Sequence, residues 1–336
     1  MALRVRAGRA TSSRLLDIWR RTGADLPGGD PRPTHSAQME GYFWRFTDTS
    51  TGRVVVVLCG INRHPDGDWA TVAIALHPGL VVRSAVVGDA SADSNDLALR
   101  AGDGFHVTDG GRRVRVAVDD VTVDATVDDS FGWPLKLGGG GVFSAVPLLN
   151  QYWHPHVLGG RADVRVAVPD GAPWELSGAN VYAEKNWGRG FPDRWWWGQA
   201  QGFPDRDDVC VAWSGGVLSL GPLRATVGGA IARVEDTVLR LTPPLAIVRS
   251  SSEGGEWRVR ATGHAGSIEI AGDGRRGVPH TLPVPLPAER RNIDTDFEHL
   301  AGHVWCSIRP RRGPSFEGES ELAGLEVGSL DGTARP

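Results

Sequence analysis

The side chains best suited to chemistry concentrate in residues 182–197, which read YAEKNWGRGFPDRWWW. Lysine occurs only at Lys136 and Lys185 in the whole chain, so a lysine beside Glu184 is unusual for this composition. One interpretation is a pair of solvated charges on a hairpin, as most exposed charge pairs are. Three consecutive tryptophans are costly on an open surface, however. They favour a buried site in which the acid and the lysine do chemistry.

Three further segments, residues 39–44, 131–156 and 316–321, combine aromatic residues with Glu and His. Aromatic rings with few polar groups between them are typical of a pocket for a large apolar ligand. Aromatic side chains scattered through a core are the alternative interpretation. Because the rings cluster and bring Glu, Lys and His with them, the pocket is favoured.

His154 and His156 are the candidate metal ligands, because residues i and i+2 of a strand share a face. No carboxylate or third histidine is close to them in sequence, and Pro155 indicates a strand edge or turn. The chain has no GxSxG elbow, P-loop or dinucleotide-binding glycine motif on a strand-to-helix turn. The glycine run 138–141 lacks the Lys-Ser/Thr and the helix of a phosphate cradle, and it predicts a flexible loop. We therefore expect no metal and no cofactor.

The composition disfavours several partners. A net charge of -4 gives no attraction to nucleic acid, and no apolar run approaches the roughly 18 residues of a membrane span. We expect a cytoplasmic protein, with peripheral membrane contact as a route for lipid uptake. The arginine-rich start faintly resembles a transit peptide, but a short helix over residues 12–21 is favoured. Three cysteines without CxxC spacing are expected to be small buried residues: Cys59, Cys210 and Cys306.

Short β-branched runs separated by Gly and Pro dominate the chain, and several alternate apolar with polar residues at period two. After Arg21 there is no convincing run with the helical period of about 3.6. The sequence predicts an all-β protein built of sandwiches or barrels. We expect three parts, residues 1–34, a first β unit over 35–170 and a second over 171–330. The proline-rich stretch 279–287 is predicted to be a loop or a crossing between sheets, with an ordinary rigid loop favoured.

These segments together resemble the tocopherol cyclase family over about residues 35–328. Residues 182–197 match the family signature Y-x-E-K-N-W-G-x-x-F-P-x-x-W-x-W in full. Residues 40–44 resemble its E-G-W-Y-F block, although Gly-Tyr-Phe-Trp replaces Gly-Trp-Tyr-Phe. Residues 132–160, and the acidic turn followed by Glu326-Val327-Gly328, resemble two further blocks of the family. The resemblance implies two lipocalin-like antiparallel β-barrel or sandwich units.

The resemblance also implies an intramolecular cyclase, of isomerase or lyase type, acting on a prenylated hydroquinone or related meroterpenoid. An acid protonates the isoprenoid alkene, and the phenol oxygen captures the tertiary cation to form a chroman. Such chemistry needs an acid of raised pKa, a dry pocket and aromatic faces near the cation. On this resemblance the acid is Glu184 or Asp193, with Glu40 as a third candidate, and Lys185 or Arg194 orients the phenol oxygen.

The residues expected to bind the substrate come from the same segments: Tyr42, Trp44, Trp133, Trp153, Tyr182, Asn186, Trp187, Arg194, Trp195, Trp197 and Gln199. On a strand Trp195 and Trp197 share a face with Gln199, and Trp196 points the other way. Two alternatives stay open, acid-catalysed hydration of a polyene or terpenoid, and a lipocalin-like lipid binder without chemistry. A buried charge pair favours an enzyme, since an apolar carrier gains nothing from it.

Overall fold

The computed structural model describes residues 16–169, 171–220 and 223–335. Residues 16–20 are helical, while residues 12–15 of the expected helix lie outside the described part. The N-terminal segment, residues 21–38, has turns and irregular structure. It packs on the connection around residues 136–148, for example through Asp25 N and Ser144 O at 2.8 Å. Among the described residues, no helix is long and apolar enough to cross a membrane.

The first sheet contains eleven strands among the described residues: β1 (Met39–Asp48), β2 (Arg53–Asn62), β3 (Trp69–His77), β4 (Val81–Val87), β5 (Ala90–Ala92), β6 (Leu99–Ala101), β7 (Phe105–Thr108), β8 (Arg113–Val118), β9 (Val121–Gly132), β10 (Gln151–Ala167) and β11 (Trp174–Gly188). Their spatial order is β4-β3-β2-β1-β11-β10-β9-β8-β7-β6-β5. Short 3-10 helices lie at Asp109–Gly111 and Gly141–Ala145. Strand β8 alternates exposed and buried residues throughout, as the period-two pattern predicts.

The second sheet contains ten strands in the described part: β12 (Arg194–Ala200), β13 (Val209–Leu220), β14 (Leu223–Val234), β15 (Thr237–Leu241), β16 (Ala246–Glu253), β17 (Glu256–Gly263), β18 (Gly266–Asp273), β19 (His280–Leu286), β20 (Arg291–Pro310) and β21 (Phe316–Ser329). Their order is β15-β14-β13-β12-β21-β20-β18-β17-β16, with β19 paired to β20, and a 3-10 helix at Pro287–Glu289 follows β19.

The proline-rich stretch 279–287 contains strand β19, so the predicted loop is wrong. The register with β20 shifts between Leu282 and Val284. Pro283 lies at this irregularity, and it has no N–H to donate to a ladder. Because β19 pairs with β20 outside the main strand path, its prolines are tolerated there.

Two antiparallel sheets confirm the predicted all-β class, but the chain changes sheets later than expected. Strand β11 is hydrogen-bonded to β1 and β10, so residues 174–188 complete the first sheet. The expected boundary at 170/171 falls between β10 and β11, and the crossing lies between Gly188 and Arg194. Residues 182–197 are therefore divided between the two sheets.

Each sheet has its own apolar interior, and smaller apolar clusters join the sheets. The first interior includes Trp44 and Phe105, and the second includes Trp213 and Trp257. One joining cluster contains Leu158, Tyr182, Trp197, Cys210, Ala212 and Ile231. All three cysteines are buried and free, as predicted.

Candidate active site

A cavity of about 550 Å³ lies between the two sheets. Strands β1, β2, β11 and β12, strands β19–β21 and the connection before β10 contribute to its lining. Nine aromatic residues contribute to its walls: Tyr42, Phe43, Phe143, Tyr152, Trp153, Phe191, Trp195, Trp196 and Trp197. Four carboxylic acids also line it: Glu184, Asp296, Glu298 and Glu326. An apolar cavity with a few convergent polar groups is typical of a small-molecule site.

Glu184 lies on β11, at the centre of the first sheet, and is buried against the second sheet. Three donors converge on its Oε2 atom, the Tyr182 hydroxyl (2.5 Å), Trp153 Nε1 (2.8 Å) and Trp197 Nε1 (2.9 Å). Burial raises the pKa of Glu184, and the three donors oppose that rise because they stabilise the carboxylate. Trp197 comes from β12, so this carboxyl group joins the two halves of residues 182–197.

Three more carboxyl groups reach the cavity from the second sheet. Asp296 and Glu298 are two residues apart on β20 and share a face, and Glu326 of β21 lies opposite Glu298 in the strand register. The carboxyl groups of Asp296 and Glu326 lie within hydrogen-bonding reach of each other, and Trp195 Nε1 donates to Glu326 Oε1 at 2.6 Å. Burial raises the pKa of both groups well above the ordinary range. Repulsion from Glu298 adds to the rise for Asp296, and repulsion from Asp296 and Glu184 adds to the rise for Glu326.

The sequence interpretation gave none of these three acids a role. Glu326 entered it only as part of a family block, and Asp296 and Glu298 were not considered. The usable signal was two acids at i and i+2 in the middle of a long run of strand-forming residues.

Glu298 also meets a buried arginine of the first sheet. Arg45 Nη1 lies 3.4 Å from Glu298 Oε1, and Arg45 Nη2 donates to the carbonyl oxygens of Leu300 (2.5 Å) and Leu322 (2.9 Å). Burial raises the pKa of Glu298 to about 8, although Arg45 opposes the rise. Arg45 therefore connects β1 to β20 and β21 beside the cavity.

Lys185 points away from Glu184, so the two side chains do not form a direct pair. Neighbours on an extended strand face opposite sides. Lys185 Nζ lies 2.9 Å from Glu40 Oε2, 2.7 Å from the Pro33 carbonyl oxygen and 3.0 Å from His35 Nδ1. Burial lowers the pKa of Lys185, and Glu40 opposes this. Lys185 and Glu40, both predicted to be catalytic, do not line the cavity, and both contact the N-terminal segment.

Five of the predicted substrate-binding residues line the cavity: Tyr42, Trp153, Asn186, Trp195 and Trp197. Tyr182 lies behind Glu184 as one of its donors. Trp44 is part of the first interior, and Trp133 packs against the cluster that joins the sheets.

Trp187 and Gln199 lie away from the cavity wall. Trp187 is stacked between His35 and Tyr152, with ring centroids at 4.2 and 5.4 Å. Gln199 is buried, with its Nε2 atom 3.6 Å from Cys210 Sγ.

Asp193 and Arg194 lie where the chain enters the second sheet, and neither is buried. Asp193 is partly exposed and forms an ion pair with Arg224 at 3.4 Å, so it is not the buried acid that was considered. Arg194 is exposed and donates to the Ser252 carbonyl oxygen at 3.1 Å. Trp196 faces the second interior, as strand alternation predicts, yet its ring also reaches the cavity.

His154 and His156 are buried, with ring centroids 6.4 Å apart. Burial lowers the pKa of His154 well below its usual value and that of His156 to about 3. Within the ranges that the structure describes, no three His, Cys, Asp or Glu residues form a group able to hold a metal ion. The glycine run 138–141 is packed, not free, because a Cβ atom at Gly139 would lie 2.7 Å from Pro155 Cδ.

The chain matches the family model described as tocopherol cyclase-like over residues 103–329. This range contains residues 182–197 and all four cavity carboxyl groups. The chain therefore belongs to the tocopherol cyclase-like family. Residues 35–102, which were expected to share the resemblance, lie outside the matched range.

Two curated plant proteins are similar to part of the chain. Tocopherol cyclase, chloroplastic, from Zea mays is 29% identical over 141 residues, which cover 38% of this chain and 30% of that protein. Probable tocopherol cyclase, chloroplastic, from Oryza sativa subsp. japonica is 33% identical over 82 residues, or 24% and 17% of the two chains. The matched stretches thus span less than a third of these relatives.

Two solved structures share the fold. CghA with Sch210972 superimposes with a TM-score of 0.56 at 12% identity, covering 92% of this chain and 96% of that chain. Kievitone hydratase from Nectria haematococca has a TM-score of 0.50 at 13% identity, covering 89% and 91%. At these identities the similarity shows the two-sheet fold alone.

Proposed function

We propose that this protein is an enzyme that closes a chroman ring on a prenylated hydroquinone or a related meroterpenoid. The observation that carries the proposal is a set of four carboxyl groups on the wall of a mostly apolar cavity, of which Glu184, Asp296 and Glu298 are buried and Glu326 is partly buried. Each buried carboxyl group costs solvation free energy, and a carrier of apolar lipids gains nothing in return. Family membership and the names of the plant relatives support the same reaction.

The cavity offers the three things that alkene protonation needs. Carboxyl groups whose pKa is raised well above the ordinary range favour the protonated form and can deliver a proton to the isoprenoid double bond. Trp195 and Trp197 present aromatic faces to a tertiary cation, and the mostly apolar lining limits the water that could capture it. No redox step is involved, since the product is an isomer of the substrate.

Asn186 is suited to orient the hydroquinone. It lines the cavity from β11, and its Oδ1 atom is buried without a hydrogen-bond partner among the described residues. An unpaired carbonyl oxygen of this kind accepts a hydrogen bond from a phenolic hydroxyl, which offsets the cost of its burial.

Hydration of the alkene is the second candidate. Asp296 Oδ1 and Glu298 Oε2 also lack hydrogen-bond partners in the described part, and such atoms can hold a water molecule that captures the cation. The hydratase named among the solved structures shares the fold, and that likeness extends no further.

Product analysis separates these functions. Purified protein is incubated with prenyl hydroquinones of several chain lengths, and products are resolved by chromatography and mass spectrometry. A chroman of unchanged mass supports the cyclase, and a gain of one water assigns a hydratase. Binding of the lipids without conversion of any of them would overturn both candidates in favour of a lipid carrier.

A further inference from the structure

The cavity carboxyl groups fall into two sets that differ in hydrogen bonding. Glu184 accepts three N–H or O–H donors on Oε2 and is not hydrogen-bonded to another carboxyl group in the described contacts. Asp296 and Glu326, called the acid pair below, lie on neighbouring strands at the cavity wall beside Glu298, and their carboxyl groups are within hydrogen-bonding reach of each other. Two carboxyl groups can share a hydrogen bond only when at least one carries a proton. The acid pair is therefore built to hold a proton and Glu184 to hold a negative charge.

The surroundings of the acid pair also suit release of that proton. Trp195 Nε1 donates to Glu326 Oε1 at 2.6 Å and stabilises the carboxylate that forms when the proton leaves. Asp296 Oδ1 is buried without a partner among the described residues, which leaves one acid-pair oxygen uncommitted at the cavity lining. Burial is the largest cause of the raised pKa of Glu326, and the nearby Asp296 and Glu184 carboxyl groups add to it.

We infer that the acid pair is the proton donor of the proposed reaction and that Glu184 is the proton acceptor, a division of roles that rests on the proposed function. Asp296 and Glu326 come from β20 and β21, and Glu184 comes from β11. Donor and acceptor therefore stand on different sheets, with the cavity between them.

Protons and charge balance over one turnover. The acid pair gives its proton to the less substituted alkene carbon, and the more substituted carbon becomes a tertiary cation. The phenol oxygen forms the new C–O bond, and its proton passes to the Glu184 carboxylate. The product leaves as an isomer, with the negative charge now on the acid pair instead of Glu184. Return of one proton from Glu184 to the acid pair restores the resting state.

A half-reaction tests the donor separately from the acceptor. In the mono-O-methyl ether of a prenyl hydroquinone, with the methyl on the oxygen beside the chain, ring closure cannot release a phenolic proton. Reversible protonation of the alkene in D₂O still places deuterium in the prenyl chain, which mass spectrometry detects. Asp296→Asn and Glu326→Gln are the donor variants, and Glu184→Gln is the acceptor variant. Glu319→Gln is the matched control, because Glu319 lies on β21 and is exposed.

Wild-type protein, Glu319→Gln and Glu184→Gln should exchange deuterium at similar rates, while Asp296→Asn and Glu326→Gln lose at least about 100-fold. Ring closure of the free hydroquinone should fall in all three cavity variants. Loss of exchange in Glu184→Gln, with exchange retained in both donor variants, would reverse the roles and overturn the inference. A wild-type protein that neither cyclises nor exchanges any substrate would instead overturn the proposed function. Melting temperatures identify any variant that fails to fold, and the two donor variants provide independent tests.

Discussion

Replacement of Lys185 by methionine should reduce stability and leave turnover intact. Lys185 Nζ is fully buried and contacts Glu40 Oε2, the Pro33 carbonyl oxygen and His35 Nδ1, all on the side of β11 opposite Glu184. Removing one partner of a buried ion pair typically costs about 3–5 kcal/mol, because the other charge stays buried without compensation. Methionine is unbranched, uncharged and one heavy atom shorter, so it removes the charge and the donors while filling most of the same space.

The loss should lie at the lower end of that range, about 3 kcal/mol, because Glu40 keeps other partners. The Thr34 hydroxyl donates to Glu40 at 2.6 Å, the Tyr42 hydroxyl at 3.0 Å, and Arg63 lies 3.6 Å away. Adding Glu40→Gln to the variant removes the unpaired charge and should recover at least about 1 kcal/mol.

Denaturant unfolding measures the stability, and turnover at saturating lipid is measured below the melting temperature of every variant. Lys136→Met is the control, since Lys136 is exposed. If Lys185→Met unfolds like the wild-type protein but loses turnover, Lys185 does not serve to hold the N-terminal segment on the first sheet. That result would return Lys185 to the list of catalytic residues.

Two further predictions concern the cavity acids. Glu184→Gln should lower turnover by about 100- to 10,000-fold, as removal of a positioned acid or base does. The control Glu175→Gln, on the exposed part of the same strand, should keep wild-type turnover. Near-normal turnover of Glu184→Gln would contradict the proposed role of Glu184. Glu298→Gln should flatten the pH dependence of stability. The pKa of Glu298 rises from 4.5 to about 8 on folding, so its contribution is complete below pH 4.5 and is lost as the pH rises towards 8. Relative to the variant, the free energy of unfolding of the wild-type protein should fall by up to about 1.4 kcal/mol per pH unit between pH 5 and 8 in denaturant titrations. Parallel pH profiles for the two proteins would show that Glu298 does not titrate in this way.

The sequence predicted the parts of the site that depend on local patterns. Alternation along a strand placed Trp195 and Trp197 on one face, and the concentration of aromatic residues around Glu184 predicted a pocket. Lys185 could not be assigned in this way, because its partners lie about 150 residues away in the N-terminal segment.

The remaining acids depend on pairing between distant strands, which no local pattern reveals. Asp296 and Glu326 are 30 positions apart and meet only through the register of β20 and β21. The position of β11 in the first sheet also depends on distant pairing, because its partner β1 is formed by residues 39–48. Strand β19 was not predicted for a different reason. Prolines argue against a strand in a sequence pattern, but β19 accommodates them because its pairing with β20 is irregular between Leu282 and Val284.

The single crossing of the chain between the sheets makes the protein divisible. All described strands before Gly188 belong to one sheet and all after it to the other, and residues 189–193 are the only covalent link between them in the described part. Each fragment from a cut there would keep a whole sheet but only part of the acid set, Glu184 on one and three carboxyl groups on the other. The contacts between the sheets would then have to hold the fragments in alignment, among them the bonds of Arg45 to Leu300 and Leu322 and the apolar cluster around Tyr182 and Trp197. Two separately inactive fragments that regain turnover on mixing would make the reaction itself a reporter of sheet docking.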